Sequence, residues 1–202
     1  IYAIERWTKD KLQLEGGLRY DFRQYDIEGW QQFQDFYSDA FSMQSITASF
    51  GVIYQLTDNQ TFSTNIGTAW RPPHVSELFS YGKHQSNGSY EYGLLWDTSE
   101  PQPELQTFNN TNVGNEQSLK WVATYQYATE KTQIELTGYA NWIQNYIYLR
   151  PEGIDFNSRT GILPLFAYTQ GNAFFRGLDL QIQQKLGEHF TWNAQASHLK
   201  AT

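Results

Sequence analysis

At 202 residues, the chain is long enough for one sizeable domain or for part of a larger one. A net charge of −7 argues against a nucleic-acid partner, whose phosphates need a basic face. The absence of cysteine excludes disulfides and thiolate metal sites. Aromatic residues alone make up 17%, a bias that suits pleated strands, water–lipid boundaries and ring-stacking surfaces.

No stretch approaches the roughly 18 apolar residues of a membrane-spanning helix. The opening Ile1-Tyr2-Ala3-Ile4-Glu5-Arg6 lacks the basic start and apolar core of a signal peptide. Neither fact excludes a membrane, because a spanning barrel hides its lipid face in alternation.

Taken in chain order, the predicted strands cover about 1–8, 11–25, 44–56, 60–70, 115–128, 131–149, 165–186 and 190–200, with ends set by pattern alone. The first follows from its neighbours rather than from its own pattern. In the second, Leu12, Leu14, Leu18, Tyr20 and Phe22 alternate with Gln13, Glu15, Arg19, Asp21 and Arg23. Successive side chains of a strand face opposite sides, so one face is oily and the other wet. The rhythm returns with Ile46, Ala48, Phe50, Val52 and Tyr54, and with Phe62, Ile66 and Trp70. It continues through Leu119, Trp121 and Tyr125, then Ile134, Leu136 and Trp142. Leu178, Leu180 and Ile182, then Phe190 and Trp192, complete it. The opposite face carries Lys, Arg, Asp, Glu and Gln repeatedly, which no dry sandwich core tolerates unpaired.

The connections alternate in length. Short turns at 9–10, 57–59, 129–130 and 187–189 are separated by long loops at 26–43, 71–114 and 150–164. Short turns on one rim and long loops on the other are the layout of an outer-membrane barrel. Several strands exceed the roughly 9–11 residues that cross a bilayer with tilt. The predicted fold is therefore all-β: an antiparallel up-and-down transmembrane β-barrel. By the turn pattern both termini fall on the long-loop side, whereas complete bacterial barrels have an even strand number and both ends usually on the other side. The expectation is that about eight strands of a larger barrel are present, incomplete at both ends.

Four motifs carry a family resemblance. Trp70-Arg71-Pro72-Pro73-His74-Val75-Ser76-Glu77-Leu78-Phe79 resembles the aromatic-Arg-Ala-Pro…Glu-Leu segment of TonB-dependent outer-membrane receptors. Tyr81 through Gly93 resembles the segment that follows it. Gly17-Leu18-Arg19-Tyr20-Asp21 is similar to the family's Gly-Leu-Arg-Tyr-Asp strand, and Asn172 with Gly177-Leu178-Asp179 to its Asn…Gly-hydrophobic-Glu strand, with Asp179 for the usual Glu. The stretch Asp97 to Leu105 is only a loose echo of the family's Asn-Pro-Asn-Leu-x-Pro-Glu. The resemblance spans nearly the whole chain. It implies a barrel of about 22 strands closed by a plug, set in the outer membrane of a Gram-negative bacterium. It also implies import of a ferric siderophore or similar iron complex, energised by the TonB complex through the plug. Residues 1–202 are then a partial barrel domain, with plug and remaining strands absent, contacting outer-membrane lipid and no nucleic acid.

Candidate ligand residues lie in the long loops. Tyr81, Tyr90, Tyr92 and Trp96 either stack on the rings of a siderophore or a sugar or pack the loop on the rim. The loop aromatics Trp30, Phe33, Phe36, Tyr37 and Phe41 divide the same way. His74 and His84 are imidazoles able to bind iron or simply solvated loop histidines; a haem receptor of the same family is an alternative reading. Arg150 and Arg159 can pair with an anionic ligand or with solvent. Arg71 and Glu77 read as a clasp at the loop base, with Pro72 and Pro73 stiffening the strand exit. No catalytic set, metal cluster or cofactor motif is expected, so an outer-membrane barrel enzyme lacks its rim triad. The rival from another class is a soluble aromatic-rich β-sandwich binding carbohydrate.

Overall fold

The computed structural model describes residues 1–30, 36–84, 88–99, 103–155 and 161–202. In chain order the elements are β1 (Tyr2–Lys9), β2 (Leu12–Trp30), β3 (Phe36–Thr57), β4 (Gln60–Arg71), the helix α1 (Val75–Phe79), β5 (Tyr81–His84), β6 (Ser89–Tyr92), β7 (Trp96–Asp97) and β8 (Glu104–Leu105). A 3₁₀ turn at Phe108–Asn110 precedes β9 (Glu116–Ala128), β10 (Thr132–Asp155), β11 (Leu163–Lys185) and β12 (Thr191–Ala201). The eight long strands match the predicted set. They form one antiparallel wall in the order β1-β2-β3-β4-β9-β10-β11-β12. β1 and β12 lie at its opposite ends, and no ladder joins them among the described residues.

The ladder register sorts side chains as the alternation predicts. Leu18 faces Ala48, Phe50 faces Ile66, Leu119 faces Trp142 and Leu136 faces Leu180. These oily side chains stay open to the surroundings: Leu18 and Leu178 are each 57% exposed and Ile46 is 68% exposed. Large apolar side chains left this open along a whole sheet face call for a non-aqueous neighbour. The opposite face pairs polar groups across strands and, for Arg19 with Asp21, along one strand. Arg6 bonds Glu15, Arg19 bonds Asp21, Gln126 Nε2 donates to Glu135 Oε2 (2.9 Å) and Thr124 meets Thr137 (2.9 Å).

Two predicted long loops are mostly strand. β2 and β3 stay paired out to Trp30↔Phe36, and β10 and β11 out to Asp155↔Leu163. Phe36, Tyr37 and Phe41 are therefore β3 residues, not loop residues; Phe33 and Arg159 lie outside the described residues. The physical reason is burial from a distance. Tyr37, Asp39, Phe41 and Met43 alternate inward, at 9%, 9%, 6% and 4% exposure, because the 72–114 loop folds down on them.

That loop is the compact part of the molecule. Phe41, Met43, Leu78 and Leu95 form a core, against which Tyr25, Ile27, Trp70, Phe79, Leu105 and Phe108 pack. Since Tyr25 pairs with Phe41 and Arg23 with Met43, the loop sits on the polar face of the wall. Phe41 stacks between Tyr25 (centroids 4.8 Å) and Phe108 (4.1 Å). Gly93 is obligatory here, because a Cβ would collide with the Leu78 carbonyl. Gly93 N donates to Ser80 O (2.7 Å) and Leu95 N to Leu78 O (3.1 Å), tying the loop's second half to α1.

The wall is not continuous to its outer rim. β3 and β4 pair only from Thr57↔Gln60 to Ser49↔Gly67, then part. At the fork the Thr68 hydroxyl takes the place of a backbone partner, accepting from Ala48 N (2.9 Å) and donating to Ala48 O (3.3 Å). Further out, Trp70 reaches to the polar face and donates its Nε1 to Asp21 Oδ2 (3.1 Å).

Candidate functional site

The site is built at the outer end of β4, where Arg71 is the last strand residue. Its guanidinium bonds both carboxylate oxygens of Glu77 (2.9 and 2.7 Å) and also Glu116 Oε2 (3.1 Å). One cation thus joins the exit of β4, the first turn of α1 and the start of β9. Pro72 and Pro73 follow at once, and Pro73 is fully buried, its carbonyl accepting from the Tyr25 hydroxyl (3.3 Å).

His74 is the N-cap of α1. Its Nδ1 accepts from Ser76 N (3.2 Å), while its own backbone N–H donates to Glu77 Oε2 (2.7 Å), closing a capping box. A side chain spent on orphan helix donors is held facing the helix. His84 is exposed at the end of β5, paired in the ladder with Ser89. The structure does not bring the two histidines to one point; they sit at opposite ends of the α1–β5 segment.

The four candidate aromatics do come together. Tyr81 stacks on Trp96 with centroids 4.2 Å apart and planes 24° from parallel. Tyr92 and Tyr90 approach Tyr81 at 5.6 and 6.0 Å, and each other at 5.5 Å. Their positions follow from the β5–β6 hairpin, where Tyr81 pairs with Tyr92 and Lys83 with Tyr90. Trp96 is pinned by its indole N–H on Phe79 O (3.3 Å). Tyr81 remains 44% exposed, so the cluster presents ring surface to solvent rather than sealing it away. Beside it, Asp97 accepts from Ser99 N (2.9 Å), and hydrogen bonds from the Ser99 side chain and backbone hold its carboxyl below the ordinary range.

The hairpin is fastened to the wall by a ladder of its own. β6 runs parallel to the outer end of β11, with Leu165↔Tyr90 and Ala167↔Tyr92. Arg150 does not stand free for an anion: it bonds Glu152 two residues on (2.7 Å). Gly177 and Asp179 are wall residues. The phenol of Tyr139 lies where a Cβ of Gly177 would be, and Asp179 accepts from the Ser197 hydroxyl (2.5 Å).

Two positioning residues carry no motif signal. Asp39 Oδ2 accepts from both Tyr37 Oη (3.0 Å) and Phe108 N (2.7 Å), anchoring the loop floor. Gln170 anchors the loop exit at Gly114. The Tyr37-x-Asp39-x-Phe41-x-Met43 alternation was the available clue to Asp39; for Gln170 there was none.

An alternating wall with an oily outer face, a polar inner face and a folded loop packed on that inner face is the wall of an outer-membrane β-barrel. The family described as TonB dependent receptor-like, beta-barrel matches residues 1–202. The chain belongs to this family of TonB-dependent receptors, transporters rather than enzymes, in the outer membrane of Gram-negative bacteria. Three solved structures show the same fold. The copper transporter OprC superposes with TM-score 0.72 at 18% identity, over 99% of this chain and 28% of its own. The hemophore receptor HasR of Serratia marcescens, solved with its hemophore HasA and heme, gives 0.69 at 18%, over 98% and 33%. The siderophore receptor PirA from Pseudomonas aeruginosa gives 0.68 at 16%, over 100% and 34%. The chain spans about a third or less of the length of each.

Proposed function

We propose that the parent receptor imports a ferric siderophore or similar iron complex, captured in part by the Tyr81–Tyr90–Tyr92–Trp96 cluster. The observation that carries this reading is the exposed Tyr81–Trp96 stack, a preformed face for the flat rings of a catecholate chelate. The family's imported cargoes are in keeping with it: one structural neighbour is a siderophore receptor and another a copper transporter. Uptake draws energy from the TonB complex through a plug, and residues 1–202 supply wall and rim of the barrel. The Arg71–Glu77–Glu116 clasp keeps the rim in place while cargo passes.

The test uses the full-length receptor in detergent, titrated with a ferric catecholate siderophore and read by tryptophan fluorescence. Changing Tyr81 or Trp96 to Ala weakens binding by about two- to tenfold, the equivalent of about 0.5–1.5 kcal/mol per lost ring contact. Unchanged affinity in both variants sinks the reading. Haem binding that is lost in His84→Ala would replace it with haem import.

A further inference from the structure

The fork between β3 and β4 opens a cleft that faces the oily side of the wall and reaches between the strands to Ser45, Thr47 and Ser118. Its volume is about 650 Å³, within the range of clefts that hold small ligands. Its inner part is lined by Tyr20, Ile46, Leu119 and Trp142. One alternate position further out on three strands, the lining changes to glutamine: Gln44 beyond Ile46, Gln117 beyond Leu119 and Gln144 beyond Trp142. Gln117 and Gln144 are ladder partners, and Tyr20 Oη donates to Gln44 Oε1 (2.9 Å). Both Gln117 and Gln144 are exposed, with no side-chain hydrogen bond among the described residues.

On β3, β9 and β10 this switch marks a depth, while on β2 Phe22, the ladder partner of Gln44, stays apolar at that level. Below it the same face is apolar across the wall, through Leu18, Ile66, Trp121 and Leu136, all more than a third exposed. That is the surface the outer membrane's hydrocarbon covers. Above it the lining offers amide donors and acceptors and no charge. A pocket with an apolar body and an uncharged amide rim at the hydrocarbon boundary matches an acyl chain joined through an ester or amide. Aromatic residues at such a boundary are themselves suited to one dry and one wet end.

We propose that the β3–β4 cleft binds one acyl chain of an outer-leaflet membrane lipid, its ester or amide linkage held by Gln44, Gln117 and Gln144. The occupant follows from continuity: the cleft opens directly onto the lipid-covered face, so an acyl chain enters sideways without leaving hydrocarbon. The chain fills space that the parted strands leave empty and braces the Thr68 bridge to Ala48. This is independent of which cargo the receptor imports.

The experiment is native mass spectrometry of the full-length receptor, extracted gently from outer membranes. The wild type retains one lipid of a mass that fragments to acyl chains. Ile46→Trp, which fills the cleft, reduces that adduct at least tenfold, while Leu136→Trp, on the same oily face but outside the cleft, keeps it. The heat-shifted gel mobility of a folded barrel is checked for both. No retained lipid in the wild type, an adduct that is detergent alone, or equal retention in the two variants overturns the proposal. Should Ile46→Trp fail to fold, the paired change Gln117→Leu with Gln144→Leu replaces it, and an undiminished adduct there overturns the proposal equally.

Discussion

The side-chain amide of Gln170 closes a two-bond ring with the backbone of Gly114. Its Oε1 accepts from Gly114 N (3.0 Å) and its Nε2 donates to Gly114 O (2.8 Å). A residue in the middle of β11 thereby stands in as an extra strand partner for the last turn of a loop that began more than forty residues earlier, after Arg71. The same Nε2 reaches Asn145 O (3.1 Å), and Asn145 Nδ2 donates to Asn115 O (3.1 Å). Asn145 takes a positive φ of 54° at the point where the β10–β11 register shifts, a conformation asparagine tolerates better than most residues.

Replacing Gln170 with Leu removes every bond of that ring. The expected cost is about 1–2 kcal/mol of local stability, confined to the loop exit. Hydrogen exchange in the full-length receptor should speed up over residues 103–115 and stay unchanged in β9 below Lys120. Uniform acceleration of the wall would show that Gln170 supports the sheet rather than the loop.

His74 behaves as a cap. His74→Ala should destabilise the loop by about 1 kcal/mol, whereas His74→Asn, whose side chain caps as well, should be close to neutral. Affinity for the iron complex stays the same in the Asn variant. Loss of binding in His74→Asn with the loop intact would assign the imidazole to cargo instead.

Gly177→Ala should cost about 1–3 kcal/mol, the usual scale of overpacking, since the added methyl meets both the Tyr139 ring and the His198 carbonyl (2.6 Å). Removing the ring as well, with Tyr139→Ala, relieves part of this and not all, because the carbonyl belongs to β12. The thermal midpoint of the solubilised full-length receptor, measured as a double-mutant cycle, reports both terms. Full rescue would mean that the β12 backbone moves aside freely.

Much of the wall was legible because its two faces meet different solvents, and a period of two records that directly. Leu12 to Phe22 and Ile134 to Trp142 needed no long-range information. The outer ends of β2 and β3 were not legible, since Tyr37, Asp39, Phe41 and Met43 are buried by the distant 72–114 loop, and a polar Asp39 within the stripe disguises the pattern. The helix α1 is five residues long, too short for a helical period to show. In the candidate site, the aromatic residues were legible as types and their convergence was not. Tyr81 meets Trp96 only because Gly93 lets the chain pass against Leu78. Arg71 and Glu77 were readable as partners by proximity, while the third partner, Glu116, arrives from β9.

The largest fully buried side chains, Leu78, Leu95 and Pro73, all belong to the inward-folded loop, whereas the wall keeps its apolar groups on an open face. One polypeptide therefore contains two kinds of folded matter. The loop is held together as a small water-soluble protein is, by withdrawing oil from water, and the wall by having hydrocarbon for a neighbour. Urea or cold, which weaken burial from water, should melt the roof of this barrel while its staves remain upright in the membrane.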